Sequence, residues 1–447
     1  MDSFAATAAH NARARKTSGS LALAFLVAVL VSASTWFYMN YILRAQQIAD
    51  AAVHQRPRGN LSDLYPRWLG ARELLRHRRN PYSNQVMREI QRGYYGRELD
   101  PTRADDPKDQ QGFAYPVYVA FLLAPTVNFP LEQVQTGFRW FLISLAIVSV
   151  LLWLRAVRWR VSSGYVVILS VLVLGWLPMV QGIKLQQLSL LVAGLLAACV
   201  ACLTWGWFLL AGGLLALATI KPQLTWPLAI WLVAWVVSDW RARKRFVLGF
   251  AIVMGLLLVG AELLLPGWPK MFVAAIGEYH RYTQNQSVLV WMFGSIAGRI
   301  FEVLSVLVCA VLTWRSHREP ASSAEFARAT ALVLALAVMV VPMFAPYNQV
   351  LLVPAILVLL KTATSIDPLL PAFRLAGVIG LILLIWPWVA TLALAAAYPW
   401  LTPSLRDRLW PMPFYSNFML PIFIFGLAAL DYWIHAASGL REPFAAE

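Results

Sequence analysis

Charge is scarce in this chain: 13% of its 447 residues are Asp, Glu, Lys or Arg, against 60% hydrophobic. That excludes a soluble globular domain and places the chain among polytopic membrane proteins. Acid is scarcer than base, 22 residues against 37, for a net charge of +15. In a soluble protein that balance would point to nucleic acid. Here the basic residues fall at the ends of apolar runs, so cytoplasmic retention and anionic lipid account for them. Cysteine is confined to Cys199, Cys202 and Cys309, all inside apolar runs. No disulfide framework or zinc site follows, and the Cys199–Cys202 pair lacks the polar neighbours of a reactive thiolate. The six histidines are scattered without ligand spacing. There is no phosphate-binding glycine loop to support ATP-driven transport, and no fixed-period repeat. Neither a metal nor a cofactor is expected.

What is present is a series of apolar runs. Leu21 to Leu43 is long enough to cross ~30 Å of hydrocarbon. Arg13, Arg15 and Lys16 precede it, but it is long for a signal peptide and has no small-residue cleavage site before Arg44, so it reads as a retained span. Basic clusters at Arg13/Arg15/Lys16, Arg155/Arg158/Arg160, Arg241/Arg243/Lys244/Arg245, Arg315/Arg318/Arg328 and Lys361/Arg374 are expected in the cytoplasm. The N-terminus is then inside, and the long polar stretch from Arg44 to Gln111 is outside. Only an odd number of crossings can separate that stretch from Arg155. The short, proline-bearing run 113–127 is therefore expected to lie half-sunk in the outer interface. The expected architecture is all-α, with spans at 20–43, 133–154, 163–180, 187–204, 206–220, 223–237, 246–265, 288–314, 329–345, 348–361, 374–397 and 416–436, twelve in all. The parts are a cytoplasmic tail (1–19), the first transmembrane helix (20–43), an extracytoplasmic loop with interfacial helices (44–132), a helix bundle (133–436) and a second tail (437–447). The polar, proline-bearing segment 99–108 reads as a mobile loop.

Inside the long loop, Leu61, Leu64, Tyr65, Trp68, Leu69 and Leu75 recur at helical spacing, with Arg67, Arg72, Arg76, Arg78 and Arg79 mainly elsewhere. This predicts an amphipathic helix in the headgroup layer. Ser62 is a good N-cap, which puts Asp63 in the first turn, where the helix dipole favours its ionised form. An ionised carboxylate there can accept a proton from an attacking sugar hydroxyl. Acids are also common in first turns merely as dipole partners. Lys184, Lys221, His280 and Arg281 are cations at the outer ends of spans or in an outer loop. Each can either snorkel to headgroups or hold a phosphate leaving group. The Asp105–Asp106 pair lies in the mobile segment and reads as solvated.

Asp63-Leu64-Tyr65 with Trp68, Gly70-Ala71-Arg72 and Asn80-Pro81-Tyr82 resembles the first outer loop of glycosyltransferase family 87. Phe113-Ala114-Tyr115-Pro116 through Pro125 resembles its next signature. Gln187-Leu188-Ser189, Gly212-Gly213 through Lys221-Pro222, Asn285-Gln286-Ser287 and Tyr347-Asn348-Gln349 continue it in order, over about residues 20–360. The resemblance implies a GT-C fold, into which a sunken 113–127 helix also fits. It implies inverting transfer of a sugar, mannose or a similar hexose, from a polyprenyl phosphate to a glycolipid or glycan, without a nucleotide. Asp63 matches the family's base, and Tyr65, Tyr115, Gln187, Asn285, Gln286, Tyr347 and Asn348 fall on its motifs as pocket residues. Gln186 departs from the pattern, since the family often has Gly before the Gln. The expected location is the plasma membrane, with the site on the extracytoplasmic face, lipids as partners and no nucleic acid. The alternative from another class is a transporter or flippase of a lipid-linked sugar, which would use short Gly/Pro-interrupted segments such as 206–237. Such segments are not paired between two halves of this chain.

Overall fold

The computed structural model describes residues 2–57, 59, 62–100, 102–283, 286–342, 345–365 and 371–438. All regular structure among them is helical. Seven helices are long and apolar enough to cross a membrane, or eight if the pair Ser163–Leu174 and Leu177–Leu185, bent by 61°, counts as one span. Length and composition thus support fewer crossings than the twelve expected. The other expected spans are helical but short, among them Leu188–Thr204, Phe208–Ala218 and Pro222–Ser238.

The turns between helices alternate between two ends of the bundle. At one end the Asp63 N–H donates to Leu185 O (2.8 Å) and the Tyr118 hydroxyl to Thr219 O (3.0 Å). At the other, Arg158 donates to Ser322 O (2.9 Å) and Lys361 to Val157 O (3.4 Å). Arg243 is buried there, bonded to the carbonyls of His317, Arg318 and Glu319, with its guanidinium 3.9 Å from the Trp235 ring centroid. The basic clusters around Arg158, Arg243, Arg318 and Lys361 therefore share one end, away from Asp63.

Close helix contact starts near that basic end and leads the chain away from it. A Cβ on Gly212 would lie 2.0 Å from Phe246 O, and one on Gly249 1.9 Å from Leu209 O, so these glycines let Phe208–Ala218 lie directly on Trp240–Leu264. The first of those helices runs into Lys221, and Pro222 then opens Pro222–Ser238 with a preset φ and no amide donor to strand.

The long loop 44–132 departs from expectation in two places. The apolar face of Leu64–His77 does not meet lipid. Leu64, Trp68, Ala71 and Leu74 are buried against protein, and Trp68 Nε1 donates to Thr126 O (3.2 Å). Hydropathy marks a face to be covered but not what covers it. Residues 113–127 supply that cover. They form a five-residue helix, Val119–Leu123, and a 3-10 turn, with Val117, Val119 and Ala120 fully buried. Five residues rise about 8 Å, too little to cross; one side of the segment faces the protein, while Phe121, Leu122 and Ala124 stay half-buried and Pro125 exposed. Residues 99–108 are also tied down. Arg97 grips both oxygens of Asp106, whose Oδ2 also accepts Asp100 N–H (2.7 Å), and Thr102 N–H donates to Asp100 (2.9 Å). Asp106 is therefore a clasp rather than half of a solvated pair; Asp105 is exposed.

Candidate active site

Asp63 occupies the N-cap of Leu64–His77, one position later in that role than the expected cap Ser62. The Ser62 hydroxyl instead donates to Gln186 Oε1 (2.5 Å), while Gln186 Nε2 donates to Gln135 O (3.0 Å). Gln186 itself is left-handed, at φ 55°, ψ 47°. That conformation explains why glycine suits this position and how glutamine serves instead. The side chain pins the turn at both ends and offsets the strain. The Asp63–Leu185 backbone bond then sets the next residue, Gln187, beside Asp63.

Gln187 joins two charges. Its Nε2 donates to Asp63 Oδ2, and its Oε1 accepts from Lys221 Nζ (3.0 Å). Lys221 Nζ also donates to Ser189 Oγ (2.7 Å), which donates to Asn348 Oδ1 (2.8 Å). The ammonium is buried, 5.3 Å from the centroid of Tyr347 and 5.9 Å from that of Tyr115. Arg67, one helical turn after Asp63, donates to Asp63 O (2.8 Å) and lies 4.8 Å from the Tyr115 centroid. Its Nε is buried with no hydrogen-bond partner among the described residues. Burial raises the Asp63 pKa above the ordinary carboxylate value; Arg67 and Lys221, with hydrogen bonds from Gln187 and Tyr94, pull the other way.

These groups face a cavity of about 220 Å³. Asp63, Lys221, His280, Tyr115, Gln187 and Tyr347 line it, as do Arg67, Asp109, Gln111 and Tyr279, which were not singled out from the sequence. Asp109 is a second carboxylate, its pKa raised by burial and lowered in part by the Gln111 N–H bond (2.9 Å). The only signal for Asp109 and Gln111 was their place just before the Phe113 motif. Other expected residues lie elsewhere. Lys184 does not line the cavity: it is bonded to Asn40 Oδ1 and to Met39 O (3.3 Å) in the π-helical turn Tyr38–Leu43. Arg281 is exposed and near Glu278 (3.9 Å). Tyr65 packs its hydroxyl against Gly93, Gln286 is exposed, and Asn348 sits behind Ser189. Asn285 lies outside the described residues. No group of three or more His, Cys, Asp or Glu among the described residues could hold a metal ion. The cavity thus presents two carboxylates, Asp63 and Asp109, and two cations, Arg67 and Lys221, to whatever it holds, with His280 and aromatic rings beside them.

The model of glycosyltransferase family 87 matches residues 113–342. This chain belongs to glycosyltransferase family 87. Neither a curated protein nor a solved structure matches it. The family 87 region contains Tyr115, Gln187, Lys221 and His280 but starts after Asp63 and Arg67, which the fold brings to the same cavity. Family 87 membership makes the chain a membrane glycosyltransferase, with an all-helical body carrying several apolar helices.

Proposed function

We propose that this enzyme transfers a hexose, mannose or a close relative, from a polyprenyl phosphate to an acceptor hydroxyl on the extracytoplasmic side of the plasma membrane, with inversion. The observation that carries the reading is the Asp63–Gln187–Lys221 bridge at one cavity: a base and a cation held a single amide apart. Asp63 accepts the proton of the attacking hydroxyl. The acceptor oxygen bonds to the anomeric carbon from the face opposite the phosphate, and the bond from that carbon to the phosphate oxygen breaks. Its electron pair leaves with the polyprenyl phosphate, whose charge Lys221 and Arg67 stabilise. His280 lines the same cavity and is placed to touch the phosphate or the sugar. The prenyl chain remains in the bilayer. The gathering of basic clusters at the opposite end supports an extracytoplasmic site, by the positive-inside rule.

The test is purified enzyme in lipid nanodiscs, given a panel of polyprenyl-phosphate sugars, with products read by mass spectrometry. Asp63→Asn should lower turnover by about 10²–10⁴ while donor affinity stays near the parent's. Asp105→Asn, at an exposed acid outside the cavity, should be neutral. An active Asp63→Asn enzyme would mean that another group is the base.

A further inference from the structure

A second cavity lies beside the first, between the Asn84–Tyr95 helix and the 97–110 loop. Its volume is about 760 Å³, against about 220 Å³ for the catalytic cavity. We propose that it binds the hydrophilic glycan portion of the acceptor, a site that rests on the glycosyl-transfer reading above.

The argument from size comes first. Small-ligand sites usually occupy about 300–1,000 Å³. The catalytic cavity falls below that range and the second cavity within it. The first can take little more than the sugar in transit and the reacting hydroxyl. The apolar donor tail belongs in lipid, so the polar remainder of an acceptor needs polar space near Asp63.

Position is the second argument. One stretch of chain separates the cavities: Asp109 and Gln111 face the catalytic side and Gln110 the other. Gln111 takes the left-handed φ of 55°, and its N–H is held by Asp109, so a tight turn sets this alternation. Strain of that kind persists where the surroundings over-determine it.

The third argument is that the cavity is built rather than left over. Asn84, Met87, Arg88 and Gln91 reach it at i, i+3, i+4 and i+7, one helix face. Gln91 is buried and holds the loop at both ends of its amide, accepting from Leu99 N–H and donating to Gln110 O, each at 3.2 Å. Tyr95 donates to Asp109 O (2.7 Å), and the Arg97–Asp106 clasp closes the loop on itself. The roof is thus propped open. Arg88, Asp100, Arg103 and Lys108 offer donors and acceptors to the space. Interleaved donors and acceptors suit a hydroxyl-rich ligand, each hydroxyl being both.

The three natural cysteines are buried, so one introduced at the cavity can be labelled selectively. Met87→Cys and, as an independent second site, Ala104→Cys would be reacted with a methanethiosulfonate in nanodiscs. Tetrasaccharides of mannose, glucose and arabinose serve as probes. At a probe concentration of about twice Kd, labelling should slow about threefold, by the factor 1 + [L]/Kd. Labelling of Asp105→Cys, outside both linings, should not change. If no tetrasaccharide slows labelling at either cavity position, or all slow Asp105→Cys equally, the proposal is overturned. Transfer by the parent enzyme is measured separately. Transfer without protection sinks the acceptor site, whereas protection without transfer from any donor sinks the glycosyl-transfer reading and leaves only a glycan site.

Discussion

Replacing Gln187 with Leu removes the side chain that bridges Asp63 and Lys221, at nearly constant volume. Its Nε2 donates to the Asp63 carboxylate and its Oε1 accepts from Lys221. A hydrogen bond to a charged group is worth about 1.5–3 kcal/mol. Loss of the bond therefore disfavours the ionised carboxylate by about that energy and pushes the Asp63 pKa further up. The starting point is a carboxyl already pushed up by burial and restrained by Arg67, Lys221, Gln187 and Tyr94. The base must be ionised to act, so activity rises with pH through this pKa. The acid limb of kcat against pH in Gln187→Leu should then move to higher pH. Well above both midpoints Asp63 is ionised in either enzyme, and the remaining deficit measures orientation alone. Lys221 keeps its bond to Ser189, so donor affinity should fall less than in a Lys221 variant. The assay is single-turnover transfer of labelled sugar between about pH 4 and pH 9. An acid limb that stays in place while kcat falls uniformly would refute the bridge as a tuning device. An unshifted profile with full activity would remove Gln187 from the site altogether.

Three further outcomes are expected. Lys221→Met should weaken donor affinity about tenfold to a hundredfold, since it removes the buried ammonium at the cavity. Exposed Arg281→Ala should stay within about twofold of the parent, and equal losses in direct binding would place the phosphate elsewhere. At Gln186, Gly should be tolerated, because relief of left-handed strain offsets the two lost side-chain bonds; Val loses both bonds and worsens the strain, costing about 2–4 kcal/mol. Thermal unfolding in detergent separates the two substitutions, and equal stability would refute that account. A cysteine at 158 should react only from the cytoplasmic side of intact cells and one at 105 only from outside; the reverse would invert the proposed topology.

Much of the site could be read as motifs, because family-like spacing marked Asp63, Tyr115, Gln187, Lys221 and Tyr347 without any three-dimensional knowledge. What escaped depended on contacts between distant segments. Lys184 and Lys221 look alike in sequence, each a lone cation at the end of an apolar run. They part company because Lys184 meets Asn40 in a π-helical turn, whereas Lys221 meets Gln187 and Ser189. A widened turn in one helix and the bend of another do not leave a periodic signal. The apolar face of Leu64–His77 was legible, but lipid and the 113–127 segment satisfy it equally well in hydropathy terms. The 99–108 loop looked unstructured because its order comes from the Arg97–Asp106 pair rather than from apolar burial. Arg67 was visible only as one of five arginines on a helix. Its distinction is that the helix start turns it over Tyr115, a geometry set by the Asp63–Leu185 bond.

The Asp63–Leu185 and Gln187–Lys221 bonds also impose an order on biogenesis. In the proposed topology, a chain inserted from its N-terminus delivers Asp63 to the far side of the membrane long before Leu185, Gln187, Lys221 or Tyr347 exists. On that topology the carboxylate waits in water without the neighbours it has in the finished protein. It acquires its partners one turn at a time as successive helix pairs arrive: first the 185–187 turn, then Lys221, and last the segment carrying Tyr347. If Asp63 is the base proposed above, catalytic competence is switched on late, when most of the bundle has been inserted, and a stalled or truncated chain carries the acid without its partners.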